Sequence, residues 1–271
     1  MIDFICDKKQ KLSKVVLHNY SDISYSTIQK LLRSKDIKIN GKRTNKDVEL
    51  LVGDRVQIYY NPIQKDKYEI LYKDDNVIVI DKKSGYTSEE VYDSLLSNFA
   101  RAKFIHRLDR NTAGVMIFAL NESSENQLLY GFKNRLFEKF YSATVYGKMP
   151  KKKDLLTTYL IKDEKNSLVK IFDKKVEGSS LIKTGYEVVS EGEDTSLLKV
   201  KLYTGKTHQI RAHLAHIGHF VVGDGKYGDN EFNKSKGVKS QKLVAKELKL
   251  IFNQDSSLYY LNNKSFYSKQ D

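Results

Sequence analysis

The stretch that most constrains this chain is Phe104-Ile105-His106-Arg107-Leu108-Asp109-Arg110-Asn111-Thr112-Ala113-Gly114-Val115-Met116-Ile117-Phe118-Ala119. It sets one acid, Asp109, between two arginines and just ahead of an almost wholly apolar run. A run such as Val115 to Leu120, short and opened by Gly114, reads as a strand buried on both faces. The acid then sits on the turn feeding a core strand, a rigid mounting for a functional group. Flanking cations favour the ionised carboxylate, and an ionised carboxylate on a fixed loop can serve as nucleophile or base. It can equally be a structural ion pair at a strand entrance. Asp109 alone does not separate the two.

With 271 residues the chain can bury a full core, as one large domain plus a small one or as two comparable domains. No window approaches eighteen apolar residues, so no membrane span is expected. The first residues, Met1-Ile2-Asp3-Phe4-Ile5-Cys6-Asp7-Lys8, lack the pattern of a signal peptide, and a cytoplasmic location is expected. The single cysteine, Cys6, excludes an internal disulfide and a cysteine-built zinc site. Lys and Arg number 47 against 34 Asp and Glu, a net charge of +13. Such an excess points to a polyanion, and nucleic acid is the usual one. Lysine far outnumbers arginine, so AT-rich coding bias would raise the charge in the same direction.

Residues 1–62 read as a small module. Leu12, Val15, Val16 and Asn19 describe a short helix, and Ser26 can cap a second over Thr27 to Ser34. Asn40-Gly41 marks a tight turn between two strands. Lys30, Arg33, Lys35, Lys38, Lys42 and Arg43 gather around the second helix and that turn; a solvated lysine-rich face would look the same. Asn61-Pro62 closes the module, residues 63–68 read as a linker, and residues 69–271 follow as the main domain. There, strand, turn and strand span Ile70 to Lys82, and helices are expected at 89–98 and 123–134. Strands are expected at Lys139–Gly147, Leu155–Ile161, Val169–Phe172, Ile182–Val189 and Ser196–Tyr203. Thr204 to Leu214 reads as a turn into a helix ended by Gly218. Residues 229–240 read as polar and mobile, and Leu243–Phe252 as a closing strand. The predicted class is α+β: a mixed, mostly antiparallel sheet flanked by helices, preceded by a small α+β domain.

Several motifs fail on inspection. Gly205-Lys206-Thr207 resembles the end of a phosphate loop, but the required earlier glycine is Val200. Gly223-x-Gly225-x-x-Gly228 matches a dinucleotide fingerprint in letters only, because it does not open a βαβ unit. No carboxylate pairs with Asp109 as a glycosidase would require. His208, His213, His216 and His219 invite a metal, but no cysteine or compact carboxylate completes a ligand set, so no metal is expected.

Three blocks line up in order: His106-Arg107-Leu108-Asp109-Arg110-Asn111-Thr112-Ala113-Gly114-Val115; Lys139-x-Tyr141-x-Ala143-x-Val145-x-Gly147; and Thr204-Gly205-Lys206-Thr207-His208-Gln209-Ile210-Arg211-Ala212-His213 with Gly223-Asp224-x-x-Tyr227-Gly228. In this order and spacing the chain resembles the RluA-type family of RNA pseudouridine synthases. Its N-terminal module resembles the RNA-binding module first known from a small-subunit ribosomal protein. Three places depart from the family pattern: Lys82-Lys83 where Lys-Pro is usual, Thr112-Ala113-Gly114 for Thr-Ser-Gly, and Leu243-Val244-Ala245 where Leu-His-Ala is common.

The resemblance implies isomerisation of uridine to pseudouridine in RNA, without a cofactor, on a base flipped out of its stack. It puts the essential aspartate at Asp109. Tyr141 would stack on the flipped uracil, Arg211 would pair with Asp109, and Arg107 would fill the space the uridine leaves. Lys30, Arg33, Lys38, Lys42, Arg43, His208 and Gln209 would contact RNA. The expected partner is large-subunit ribosomal RNA, with transfer RNA as the alternative substrate, and the expected state is a monomer. Flipping costs a few kcal/mol, which stacking and cationic wedges offset. The rivals from other classes are a non-catalytic RNA-binding assembly factor and a metal-dependent hydrolase built on the C-terminal histidines.

Overall fold

Short amphipathic segments and a tight turn at the N-terminus give the first unit its form. In the computed structural model, which describes residues 1–20, 23–60, 66–164 and 167–271, helices Leu12–Asn19 and Tyr25–Arg33 bury Leu12, Val15, Val16, Ile28 and Leu32. These side chains share one core with Ile37, Leu50, Val56 and Ile58. The cap of the second helix is Ser24 and not Ser26: the Ser24 side chain accepts from the Thr27 N–H, and the helix starts two residues earlier than expected. A four-stranded sheet runs in the order Ile2–Ile5, Arg55–Ile58, Ile37–Ile39, Lys42–Thr44. Asn40 and Gly41 both hold positive φ, +49° and +81°, in the two-residue turn that suits the strand twist. The strand Ile2–Ile5 had no sequence signal of its own; its half-buried pattern makes sense only beside Arg55–Ile58.

The chain divides into two compact units, Met1–Lys65 and Asp66–Asp271. The expected module end at Asn61-Pro62, and half of the expected linker, lie outside the described residues. Tyr68, expected in that linker, already belongs to the strand Tyr68–Lys73.

The second unit is built on an eleven-stranded sheet. At its centre Val77–Lys82 and Ala113–Ala119 are buried along their whole length. Alternate side chains serve two cores: Ile78, Ile80, Met116 and Phe118 on one face, Val77, Val79, Val115 and Ile117 on the other. Two-sided burial is why these strands read as continuous apolar runs. Ala113–Ala119 pairs in parallel with Leu243–Lys249, and the other described pairings are antiparallel. The class is therefore α+β with a mixed, mostly antiparallel sheet. Gly114 permits the parallel pairing: its φ is +118°, and a Cβ there would lie 2.3 Å from the Ala245 carbonyl oxygen.

Two expectations about the C-terminal part need correction. Residues 230–235 form a helix, capped by the Asp229 carboxylate, and Phe232 packs against Tyr146 and Phe220. One aromatic among polar residues was too weak a signal to announce it. Leu243–Lys249 does not close the sheet, because Ser265–Tyr267 pairs with it. Beyond that strand Ser268, Lys269 and Gln270 donate to the buried Asp81 carboxylate.

Candidate active site

Asp109 stands on the loop between the Lys103–Phe104 strand and the core strand Ala113–Ala119. The loop is tied down from several sides. Ser88, fully buried, accepts from the Leu108 N–H at 2.8 Å and donates to the Leu108 carbonyl at 2.9 Å. Lys82, also fully buried, donates to the carbonyls of Lys83, Tyr86 and Arg110. Burial lowers this ammonium to a pKa of about 8. Ser84 Oγ donates to the Asn111 carbonyl and Gln241 Nε2 to Thr112 Oγ1.

The neighbouring arginines do not serve Asp109. Arg110 pairs with Glu90 at 3.2 Å and Arg107 with Glu89 at 3.5 Å, leaving the Arg107 side chain 71 % exposed. Residues adjacent in sequence point apart on this loop. The partner of Asp109 is Arg211, from the helix Gln209–His216, whose Nη1 donates to Asp109 Oδ2 at 2.9 Å. Arg211 is in turn gripped by Asp224: Nε donates to Oδ2 at 2.7 Å and Nη2 to Oδ1 at 2.9 Å. Burial works against the guanidinium's charge, but bonds to Asp224 and Asp109 outweigh it and hold the guanidinium firmly protonated. Asp224 itself is fully buried; burial opposes its charge, yet Arg211 and the Lys226 and Tyr227 N–H groups keep its pKa below the usual range. Asp109 is only half-buried, its side chain 24 % exposed.

Tyr141, on the strand Glu138–Tyr146, lines the same cavity of about 530 Å³ as Asp109 and Arg211. Burial, reinforced by the charge of Asp109, raises its pKa, so the phenol is neutral. Its hydroxyl makes no hydrogen bond among the described residues. Asp109 Oδ1 likewise accepts none. The site thus presents a carboxylate oxygen and an aromatic hydroxyl, both available, beside a carboxylate–guanidinium–carboxylate chain.

The other expected residues divide. Arg107, His208 and Gln209 line the cavity. His208 caps its helix with φ +52° and its Nδ1 meets the Tyr227 hydroxyl at 2.9 Å. Gln209 is a correction: its amide accepts from Thr204 Oγ1 and the Lys206 N–H, and donates to the Lys183 carbonyl and Thr184 Oγ1. All four bonding positions are spent inside the protein, so Gln209 is a latch under the loop and not a free RNA contact. Lys30, Arg33, Lys42 and Arg43 are exposed on the first unit, and Lys38 lies 5.0 Å from the centre of the Tyr59 ring.

The C-terminal histidines have separate duties. His213 is buried between Thr158 and Thr184 at 3.0 Å each, and burial lowers its pKa to about 4. His216 meets Asp173, and His219 meets the Tyr146 carbonyl. Among the described residues no group of three or more His, Cys, Asp or Glu is placed to hold a metal ion. The residues that sequence reasoning missed are Asp224, Lys82 and Ser88. Asp224 stood in the last motif block without a role; no spacing rule ties it to Arg211.

Residues 67–216 match the family model described as RNA pseudouridylate synthase. The chain is 33 % identical over 248 residues to an uncharacterized RNA pseudouridine synthase of Aquifex aeolicus, covering 82 % of this chain and 78 % of that one. It is 29 % identical over 280 residues to the ribosomal large subunit pseudouridine synthase C of Rickettsia bellii, covering 89 % and 93 %. Its fold is similar to that of human RNA pseudouridylate synthase domain containing 1, with a TM-score of 0.63 at 22 % identity over 78 % of this chain and 94 % of that one. No helix among the described residues is long and apolar enough to cross a membrane.

Proposed function

The chain belongs to the RNA pseudouridylate synthase family and is an RNA-modifying isomerase, and from that premise we propose that its substrate is large-subunit ribosomal RNA and that Asp109 is the essential group. The observation that carries the residue assignment is the Arg211–Asp109 pair beside Tyr141 in one cavity. Arg211 fixes one carboxylate oxygen and leaves Oδ1 to act on the nucleotide. The reaction needs no external reactant: the bond from uracil N1 to the ribose breaks, a bond from C5 forms, and the C5 proton is given up while N1 gains one. Tyr141 stacks on the flipped uracil, and its neutral hydroxyl is positioned to help carry the C5 proton. Arg107, exposed at the rim, fills the vacated space in the RNA. Lys30, Arg33, Lys38, Lys42 and Arg43 on the first unit hold folded RNA electrostatically. The protein works in the cytoplasm as a monomer without a cofactor. The ribosomal substrate is supported by relatives named for the large subunit, that of Rickettsia bellii among them.

The test is a pseudouridine map of total RNA from cells lacking the protein, complemented with wild type or Asp109→Asn. One or more sites in large-subunit RNA should vanish and return only with wild type. Rescue by Asp109→Asn would sink the role of Asp109, and a lost site in transfer RNA alone would move the substrate there.

A further inference from the structure

Lys139 takes no part in the chemistry above, yet it lines the same cavity as Asp109 and Tyr141. It lies two residues before Tyr141 on one strand and so shares its face. Its ammonium is part-buried, 5.9 Å from the centre of the Phe132 ring, and has no hydrogen bond or ion pair among the described residues. Burial first, and the charge of Arg135 second, lower its pKa. The surroundings offer it no anion. Asp109 is the only carboxylate among the cavity's described lining residues, and its ion pair is with Arg211, not with Lys139. His106 is neutral, because its Nε2 accepts the Ile117 N–H and burial lowers its pKa to about 3.

More positive charge stands nearby instead. Arg135 and Lys206 line the cavity, and neither side chain has an ion-pair or hydrogen-bond partner among the described residues. Across from Lys139 the wall is bare backbone: a Cβ on Gly205 would come within 3.4 Å of its Nζ. A partly desolvated cation without a counter-charge is costly, and more so beside other cations. Such a group becomes favourable when a ligand supplies the missing charge, and in RNA every nucleotide carries a phosphate.

We propose that Lys139, assisted by Arg135 and Lys206, is an anion site that takes a backbone phosphate next to the flipped uridine. The inference rests on the reading of the cavity as the uridine site and adds a contact to it: the base would be held at Asp109 and Tyr141 while the strand is held at Lys139.

The experiment uses the full chain carrying Asp109→Asn, so that binding is read without turnover, and a short RNA around the uridine identified by the map. The phosphate on either side of that uridine is replaced in turn by an uncharged methylphosphonate. One replacement should weaken binding about tenfold, the size of a lost charge-assisted hydrogen bond. Adding Lys139→Met should weaken binding of the normal RNA by a similar factor and abolish the effect of the replacement, while Lys139→Arg should preserve it. If neither replacement weakens binding, or if the factors for Lys139→Met and the replacement simply multiply, the phosphate site is wrong. The two readings fail separately: the pseudouridine map judges the reaction, and this coupling judges Lys139.

Discussion

Arg211 is held from behind by Asp224 through two bonds, at 2.7 and 2.9 Å, and so presents its remaining nitrogen to Asp109 in one orientation. A flexible arginine would lose rotamer freedom on pairing with the reacting carboxylate; here the buried aspartate has already removed it. Preorganised charge of this kind is what an active site needs, because nothing has to move when the substrate arrives.

Asp224→Asn should therefore act at a distance from the substrate. Removing one partner of a buried ion pair costs about 3–5 kcal/mol, so chemical denaturation should show a loss of that order. Activity in the folded variant should fall at least about tenfold, through kcat, since Arg211 would no longer aim Asp109. An unchanged kcat would mean that Arg211 is aimed by something else.

Gly114 carries a separate risk. A methyl group there meets the Ala245 backbone at 2.3 Å and must tolerate a φ of +118°. Strain and overpacking each cost about 1–3 kcal/mol, so Gly114→Ala should destabilise by at least about 2 kcal/mol. The strand it opens mounts the Asp109 loop, so activity should drop as well. A melting temperature within a degree of wild type would show that the parallel pairing adjusts freely.

Acid should loosen the second unit well above the carboxylate range. His106 and His213 have folded pKa values of about 3 and about 4, below the ordinary value of 6.5, because burial penalises the charged ring. Between those values the unfolded chain binds more protons, so stability is full above about pH 6.5 and declines as the pH falls. Each histidine contributes up to about 1.4 kcal/mol per pH unit in its window. Urea denaturation from pH 7 to pH 5 should show the decline, and His106→Gln should reduce its slope by about one proton. An identical slope in the variant would contradict the burial of a neutral ring.

The basic group on the first unit makes an electrostatic prediction. Lys30→Glu, Arg33→Glu and Lys42→Glu in the full chain change exposed side chains. RNA affinity should fall, and the slope of log affinity against log salt should shrink by about 0.7–0.9 for each phosphate that no longer meets a cation. Equal affinity and slope would remove this face from the RNA surface.

Much of the scaffold could be read in advance where the signal is local. Val115 to Leu120 announced a strand buried on both faces because apolar residues at every position leave no solvent side, and the structure buries Ala113–Ala119 throughout. Asn40-Gly41 announced its turn because both residues tolerate positive φ. The helix at 230–235 and the strand Ile2–Ile5 were missed because each depends on a partner far along the chain: Phe232 on Tyr146, and Ile2 on Ile58.

The candidate site shows the same division. The amino-acid sequence by itself determined that an acid would sit on a rigid turn before a core strand, and motif order brought Tyr141 and Arg211 to attention. Only the tertiary structure decided how the charges pair. Sequence neighbours on an extended loop point in different directions, so Arg107 and Arg110 turn to Glu89 and Glu90. The cation that meets Asp109 comes from a helix more distant in the chain, and the acid that aims it is buried beyond that helix. Adjacency along a chain fixes which side chains are near in contour. Packing, which sets the buried Arg211 guanidinium between Asp224 and Asp109, fixes which of them touch.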